Sequence, residues 1–240
     1  MHCPDRPCAT PFYNRAVTGS DWRSIWESKA AEGDFAASGR SSGDPAQLFA
    51  LLADACAALA PFPSDRALDL GCGVGLLARH LVPYISSLVG LDFAVPLLQR
   101  ARTAAPAARF VGGALPGLPF RDGSFTLVLA SSVLQYLDGD DGVERGLAEM
   151  RRVTASGGRA FASGNPDLRR KEAYIAGIDR LDLPEERKAV IRERNRKAYW
   201  MSPETLVEQA RRVGFDAEVK AISPAVWQSH YMFDLALVAR

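Results

Sequence analysis

The stretch Ala67-Leu68-Asp69-Leu70-Gly71-Cys72-Gly73-Val74-Gly75-Leu76-Leu77-Ala78 constrains this chain more than any other. An apolar run reaches an acidic residue, and three glycines then fall within five positions. The pattern predicts a buried strand at 66–70, a tight turn, and a helix over about 75–82. Glycine suits such a turn because it adopts left-handed backbone angles without a Cβ penalty. A glycine loop between a strand and a helix start is a place where a nucleotide can lie.

Downstream the chain alternates. Strands are expected at 85–91, 108–111, 125–130 and 158–163, with helical patterns at about 94–104 and 140–152. Alternation at this spacing predicts βαβ units and a parallel sheet with right-handed crossovers. Residues 215–222 and 231–239 also read as strands. Only about eight residues separate them, too few for a crossover helix, so they are expected to pair antiparallel.

The flanks are helical. Residues 1–19 are rich in Pro, Arg and small polar side chains and read as a loosely ordered tail. Asp21 is expected to cap a helix over 22–31 that carries Trp22 and Trp26 on one face, either as core residues or as a lid. The run 38–44 reads as a loop. Asp44-Pro45 gives an N-cap and first helical position for an Ala/Leu-rich helix to about Ala60. Residues 164–200 read as a charged helical insertion, and Ser202-Pro203 opens a helix ending near Gly214. The expected organisation is an N-terminal segment and lid helix at 1–43 and a cofactor-binding core at 44–163. A helical cap at 164–200 and a C-terminal helix and hairpin at 201–240 complete it.

Length and charge narrow the function. A chain of 240 residues fits one α/β domain. A net charge of +1 offers no global field for nucleic acid. The insertion holds ten Lys or Arg against seven acids. A solvated helix face accounts for most of them, with room for an acidic or phosphate-bearing substrate. Cys3, Cys8, Cys56 and Cys72 show no repeated spacing and read as free thiols in a reducing compartment. His2, Cys3 and Cys8 read as part of the tail rather than as a metal site. With no signal-like start and no apolar run near ~20 residues, a cytoplasmic protein without a membrane partner is expected. Either a monomer or a homodimer fits.

Gly73-x-Gly75-x-x-Ala78 fits a dinucleotide fingerprint, with Asp92 lying 19 residues beyond Gly73. Asp69 argues otherwise. A carboxylate before the loop repels a pyrophosphate at the helix start and suits a ligand ammonium group. An amino-acid-bearing nucleoside is therefore favoured over a nicotinamide cofactor.

Leu68-Asp69-Leu70-Gly71-Cys72-Gly73-Val74-Gly75 resembles the first motif of the class I S-adenosylmethionine-dependent methyltransferases. The likeness runs from about residue 60 to 163. It includes Gly90-Leu91-Asp92, the segment Leu118-Pro119-Phe120-Arg121-Asp122-Gly123-Ser124-Phe125, and Val133 to Leu137. The chain closely resembles the broad small-molecule group that includes the ubiquinone and menaquinone methylating enzymes. Residues 199–206 and 230–234 are similar to a subgroup linked to glycan or lipid modification.

The resemblance implies an α/β, Rossmann-like seven-stranded mostly parallel sheet with an antiparallel last strand, helices on both faces and a small helical cap. It implies S-adenosyl-L-methionine as cofactor, S-adenosyl-L-homocysteine as product, and a small-molecule methyl acceptor attacked in line through O, N or C. Gly71, Cys72 and Gly73 would admit the methionine part and the ribose, with Asp69 beneath the loop. Asp92 would accept both ribose hydroxyls, and Phe93 would pack on the adenine. Ala114 and Leu115 would line the adenine edge, and Ser131 would meet the methionine end.

Two positions depart from the family pattern. Ala114 stands where an acidic acceptor for the adenine amino group is usual, which predicts weaker binding, a substitute acceptor, or a non-catalytic binding protein. Thr126 stands where Asp is frequent and is expected to be structural. Trp22, Trp26, Tyr136, Tyr199, Trp200 and His230 are candidate walls of the acceptor pocket, whereas His80 falls on the wrong side for chemistry. No metal is expected; a general base is needed only if the nucleophile carries a proton of high pKa, and no His/Asp pair marks one. A non-catalytic binding protein and a nicotinamide enzyme remain as alternatives.

Overall fold

The computed structural model describes residues 20–38 and 44–240. The expectations for the 1–19 tail, for His2, Cys3 and Cys8, and for most of the 38–44 loop lie outside the described residues. One seven-stranded sheet organises the rest, in the order β3-β2-β1-β4-β5-β7-β6. The strands are β1 (Arg66–Leu70), β2 (Ser87–Asp92), β3 (Arg109–Gly112), β4 (Phe125–Ser131), β5 (Thr154–Pro166), β6 (Phe215–Lys220) and β7 (Met232–Ala239). The pairs from β3 through β5 are parallel, and β7 runs antiparallel to both of its neighbours.

Helices cover both faces. The N-terminal elements are α1 (Ser20–Ser28), α2 (Asp34–Ala37) and α3 (Pro45–Leu59). The crossovers carry α4 (Ala78–Leu81), α5 (Val95–Ala104) and α6 (Gly139–Val153), followed by α7 (Lys171–Gly177), α8 (Glu185–Lys197) and α9 (Pro203–Arg212). Leu48, Leu51, Leu97 and Leu98 pack with Leu127, Leu129 and Phe161 on one face. Val143, Leu147, Met150 and Leu206 pack with Val128, Ala160 and Leu235 on the other. Alternate residues of one strand feed opposite cores, as the two-residue repeat of a strand requires.

The helix starts follow local chemistry. Asp44 accepts a hydrogen bond from Ala46 N with Pro45 at the first helical position, and Ser202 Oγ accepts one from Thr205 N at 3.3 Å. Asp21 lies inside α1 rather than before it. The helix expected over 75–82 is shorter, because Gly75 has φ +75° and the chain turns until Ala78. The fifth strand is longer than expected at both ends. Its residues Asn165 and Pro166 still pair with Phe233 and Met232 after a register shift, so the insertion leaves the sheet only after Pro166.

Strand order reverses between β1 and β4. Crossovers then leave on opposite sides, and a crevice opens at the carboxyl ends of those strands. Around this crevice the molecule is strapped by Asp34 of α2. Its carboxylate takes Arg79 at 3.1 Å and Arg100 at 2.5 Å, tying the N-terminal helices to α4 and α5. Arg100 also donates to the carbonyls of Ala30 and Glu32.

Candidate functional site

A cavity of about 1040 Å³, including its open mouth, occupies the crevice. The glycine loop forms its floor: Asp69, Gly71, Cys72 and Gly73 all line it. The end of β2 contributes Asp92 and Phe93, and the turn after β3 contributes Ala114 and Leu115. Ser131 closes the side from β4. Of the proposed acceptor-pocket residues, Trp22, Trp26 and Tyr136 line the same cavity.

Backbone hydrogen bonds shape the floor. The N–H groups of Gly71 and Cys72 both donate to Leu91 O, at 2.7 and 3.1 Å, which stitches the loop to β2. Gly73 has φ +53°, and a Cβ there would meet nothing within 4 Å, because it would enter the cavity. That open space is what a ligand lying against the loop backbone needs.

Two carboxylates sit at the floor. Asp69 is only 2% exposed and Asp92 only 7%. Asp92 Oδ2 accepts from Gly73 N at 2.9 Å and Oδ1 accepts from Ala94 N at 2.8 Å. Each oxygen keeps a further acceptor site for a ligand hydroxyl. Burial pushes Asp92 above the usual carboxylate range, and the N–H groups of Ala94, Gly73 and Phe93 pull it back. Burial, followed by the charges of Asp69 and Asp92, holds the Cys72 thiol well above its ordinary value. No Lys or Arg lines this cavity among the described residues, so its charge is negative.

The aromatic side chains form a roof. The rings of Trp22 and Tyr136 meet edge-on at 4.8 Å, and those of Trp26 and Tyr136 at 5.8 Å. Arg23 fixes the same helix to the end of β2 by donating to Phe93 O at 3.0 Å, and its guanidinium lies 5.5 Å from the Phe93 ring centroid. Tyr136 is pushed above its ordinary pKa by burial.

Other expected residues stand elsewhere. Tyr199 does not line the cavity: its hydroxyl donates to Asp140 Oδ1 at 2.7 Å, joining the cap to the start of α6. Burial and that carboxylate push the Tyr199 hydroxyl up to about 12. His230 is also outside. It is exposed, its Nδ1 lies 2.6 Å from Trp227 O, and its ring packs among Tyr174, Trp227 and Tyr231. Trp200 is buried in that aromatic cluster, with Nε1 donating to Asn195 O. His80 is away from the cavity beside Arg79. Thr126 acts structurally, donating to Asp65 Oδ1 at 2.7 Å at the opposite end of the sheet.

Sequence reasoning missed Ser38, Ser132 and Val133, which also line the cavity. Ser132 carries a left-handed φ of +57°, which no local pattern announces. At the Ala114 position no side-chain acceptor faces the cavity, as the residue type dictates.

Residues 68–162 match the family model described as a methyltransferase domain. The probable methyltransferase ltbC of Aspergillus luteorubrus is 31% identical over 168 residues, 65% of this chain and 58% of its own. A demethylmenaquinone methyltransferase of Beutenbergia cavernae is 36% identical over 102 residues, 42% of this chain and 41% of its own. The chain thus spans about half the length of these relatives. Among solved structures, the N-methyltransferase NodS of Bradyrhizobium japonicum WM9, in complex with S-adenosyl-L-homocysteine, superposes with a TM-score of 0.66. That match covers 90% of this chain and 97% of NodS at 13% identity, a likeness of fold. Strand order, glycine loop and matched domain thus agree: residues 68–162 are similar to a methyltransferase domain, set in a fold like that of NodS.

Proposed function

We propose that this protein transfers a methyl group from S-adenosylmethionine to a small molecule. The observation that carries the reading is the charge of the crevice, two buried carboxylates with no cation among the described lining residues. An anionic floor attracts a ligand with ammonium and sulfonium groups and opposes a diphosphate. That argues against a nicotinamide cofactor despite the Gly73-x-Gly75-x-x-Ala78 spacing.

The residues divide the work by position. Asp92 would accept the ribose hydroxyls on the free sites of its oxygens, and Gly73 would let the ligand approach the backbone. Phe93 would pack on the base, with Ala114 and Leu115 at its edge. Asp69, Gly71, Cys72 and Ser131 would surround the amino-acid end. When bound, the cofactor supplies a methyl on a positively charged sulfur, ready for in-line attack. Trp22, Trp26 and Tyr136 would exclude water and align the acceptor, the main source of rate; a general base is needed only where the nucleophile carries a proton of high pKa. A cytoplasmic enzyme, as monomer or homodimer, agrees with the free thiols of Cys56 and Cys72.

Calorimetry tests the reading. S-adenosylhomocysteine should bind and NADH should not. Asp92→Ala should weaken the nucleoside by about 1.5–3 kcal/mol, the range for charge-assisted hydrogen bonds. Tight NADH binding without a response to the nucleoside would overturn it. A second reading, a binding protein without turnover, is favoured by the missing acceptor at Ala114. It predicts nucleoside binding but no labelled product from metabolite extracts incubated with methyl-labelled cofactor.

A further inference from the structure

A second cavity of about 560 Å³, including its open mouth, adjoins the crevice. Trp26, Ser38, Ser131, Ser132 and Tyr136 line both, so the two share a wall at the end of β4. The outer walls come from Gln135 in the turn after β4, from Arg194 and Asn195 of the cap, and from Gln228 and Tyr231 before β7.

Arg194 is the one charged side chain among the described residues lining this second cavity. It is half-buried, and no described hydrogen bond or ion pair engages its guanidinium. Four other cations of the cap are paired: Lys188 with Glu185, Arg192 with Asp179, Lys197 with Glu193, and Arg169 with Asp167 and Glu204. None of the cap's other bases lines this cavity among the described residues. The position of Arg194 is set by buried Asn195 beside it. Asn195 Nδ2 donates to Ile191 O at 2.8 Å, and Asn195 O accepts from Trp200 Nε1 at 2.8 Å. The positive field of Arg194 reaches three tyrosines, Tyr136, Tyr174 and Tyr231, and partly offsets the rise that burial imposes on each.

A partly desolvated cation without a counter-charge is unfavourable, and a ligand that supplies the missing anion is selected. A guanidinium also matches the planar two-oxygen geometry of a carboxylate or the oxygens of a phosphate. We propose that the second cavity is the acceptor compartment and that Arg194 binds an oxyanion group, carboxylate or phosphate, on the methyl acceptor. This rests on the methyltransferase reading. It places the anionic end of the acceptor in the cap and its nucleophile toward Ser131 and Ser132, facing the crevice. The two compartments then carry opposite charges, negative for the cofactor and positive for the acceptor.

The test uses three ring compounds of similar shape: benzoate, phenyl phosphate and benzamide. Each is titrated by calorimetry into the full chain loaded with S-adenosylhomocysteine. At least one anion should bind ten times more tightly than benzamide. Arg194→Gln should bring that anion to within twofold of benzamide, and Arg194→Lys should keep part of the preference. Affinity for S-adenosylhomocysteine should stay within twofold in both variants, which shows that the fold and crevice persist. The stronger of benzoate and phenyl phosphate identifies the group. Equal binding of benzamide, a preference that survives Arg194→Gln, or no anion binding at all would each overturn the proposal. If S-adenosylhomocysteine itself does not bind, the cofactor reading falls. The same three titrations on the ligand-free chain then decide the anion site separately.

Discussion

Replacing Asp234 with Asn should change how stability depends on pH, in a direction fixed by burial. Asp234 lies on β7 and is fully buried, at 0% exposure. Its Oδ1 accepts from Gly164 N at 2.8 Å, whereas Oδ2 has no hydrogen-bond partner among the described residues. Ser163 Oγ is close enough to favour the charged form without hydrogen-bond geometry of its own. Burial dominates and, with the charge of Asp54, pushes the carboxyl from its ordinary 3.8 up to about 6. The native state therefore holds the proton more tightly than the unfolded chain does. The native preference is complete below the unfolded value and is eroded as pH rises through the interval from 3.8 to about 6. A displacement of about two units corresponds to about 3 kcal/mol. Asn keeps a carbonyl oxygen for Gly164 N and carries no charge at any pH. Urea unfolding of both proteins, from pH 4.5 to 8, should show a difference that grows with pH. The variant should become the more stable by up to about 3 kcal/mol above pH 7. A difference that stays constant across that range would refute the account of Asp234 as a buried titrating acid. The site is adjacent to function: Ser132 N donates to Ser163 O at 2.7 Å, and a Cβ on Gly164 would come within 2.5 Å of Ser132 Oγ.

Asp34→Ala should release the strap to Arg79 and Arg100. With side chains 29–42% exposed, a stability loss of about 1 kcal/mol is expected, together with several-fold faster S-adenosylhomocysteine dissociation in stopped-flow tryptophan fluorescence. Because the two arginines hold the Asp34 carboxyl below its usual range, their share of stability is present at neutral pH and fades on acidification. Gly73→Val should place a branched side chain in left-handed backbone and into the crevice, and calorimetry should show nucleoside affinity reduced at least tenfold. Tyr199→Phe should cost about 1 kcal/mol in chemical denaturation while leaving nucleoside affinity unchanged, since its hydroxyl serves Asp140.

What was legible in the sequence was local or periodic. The Asp44-Pro45 start, the alternating strands, the short gap before β7 and the loop at 71–75 each carry their signal within a few residues. The floor of the crevice follows from them, because Asp69 and Asp92 stand at the ends of β1 and β2 wherever those strands are placed side by side. Long-range partners were not legible. Nothing near Tyr199 marks Asp140, 59 residues away, as its acceptor. Nothing in α8 separates Arg194 from nine other bases of the insertion, since its distinction is a place on a cavity wall that only packing reveals. The extension of β5 beyond 163 was hidden for the same reason: Asn165 and Pro166 resemble a turn until Phe233 and Met232 come alongside.

The place of β7 has a consequence for how this molecule is made. Residues 232–239 fill a slot between β5 and β6, although β5 is complete by residue 166. During synthesis β5 waits with one bare rim until some seventy further residues have left the ribosome, at roughly 5–20 residues per second. Such a rim pairs readily with any passing strand. For several seconds, then, the nascent chain carries an unpaired sheet rim on β5, while every strand that lines the crevice is already made.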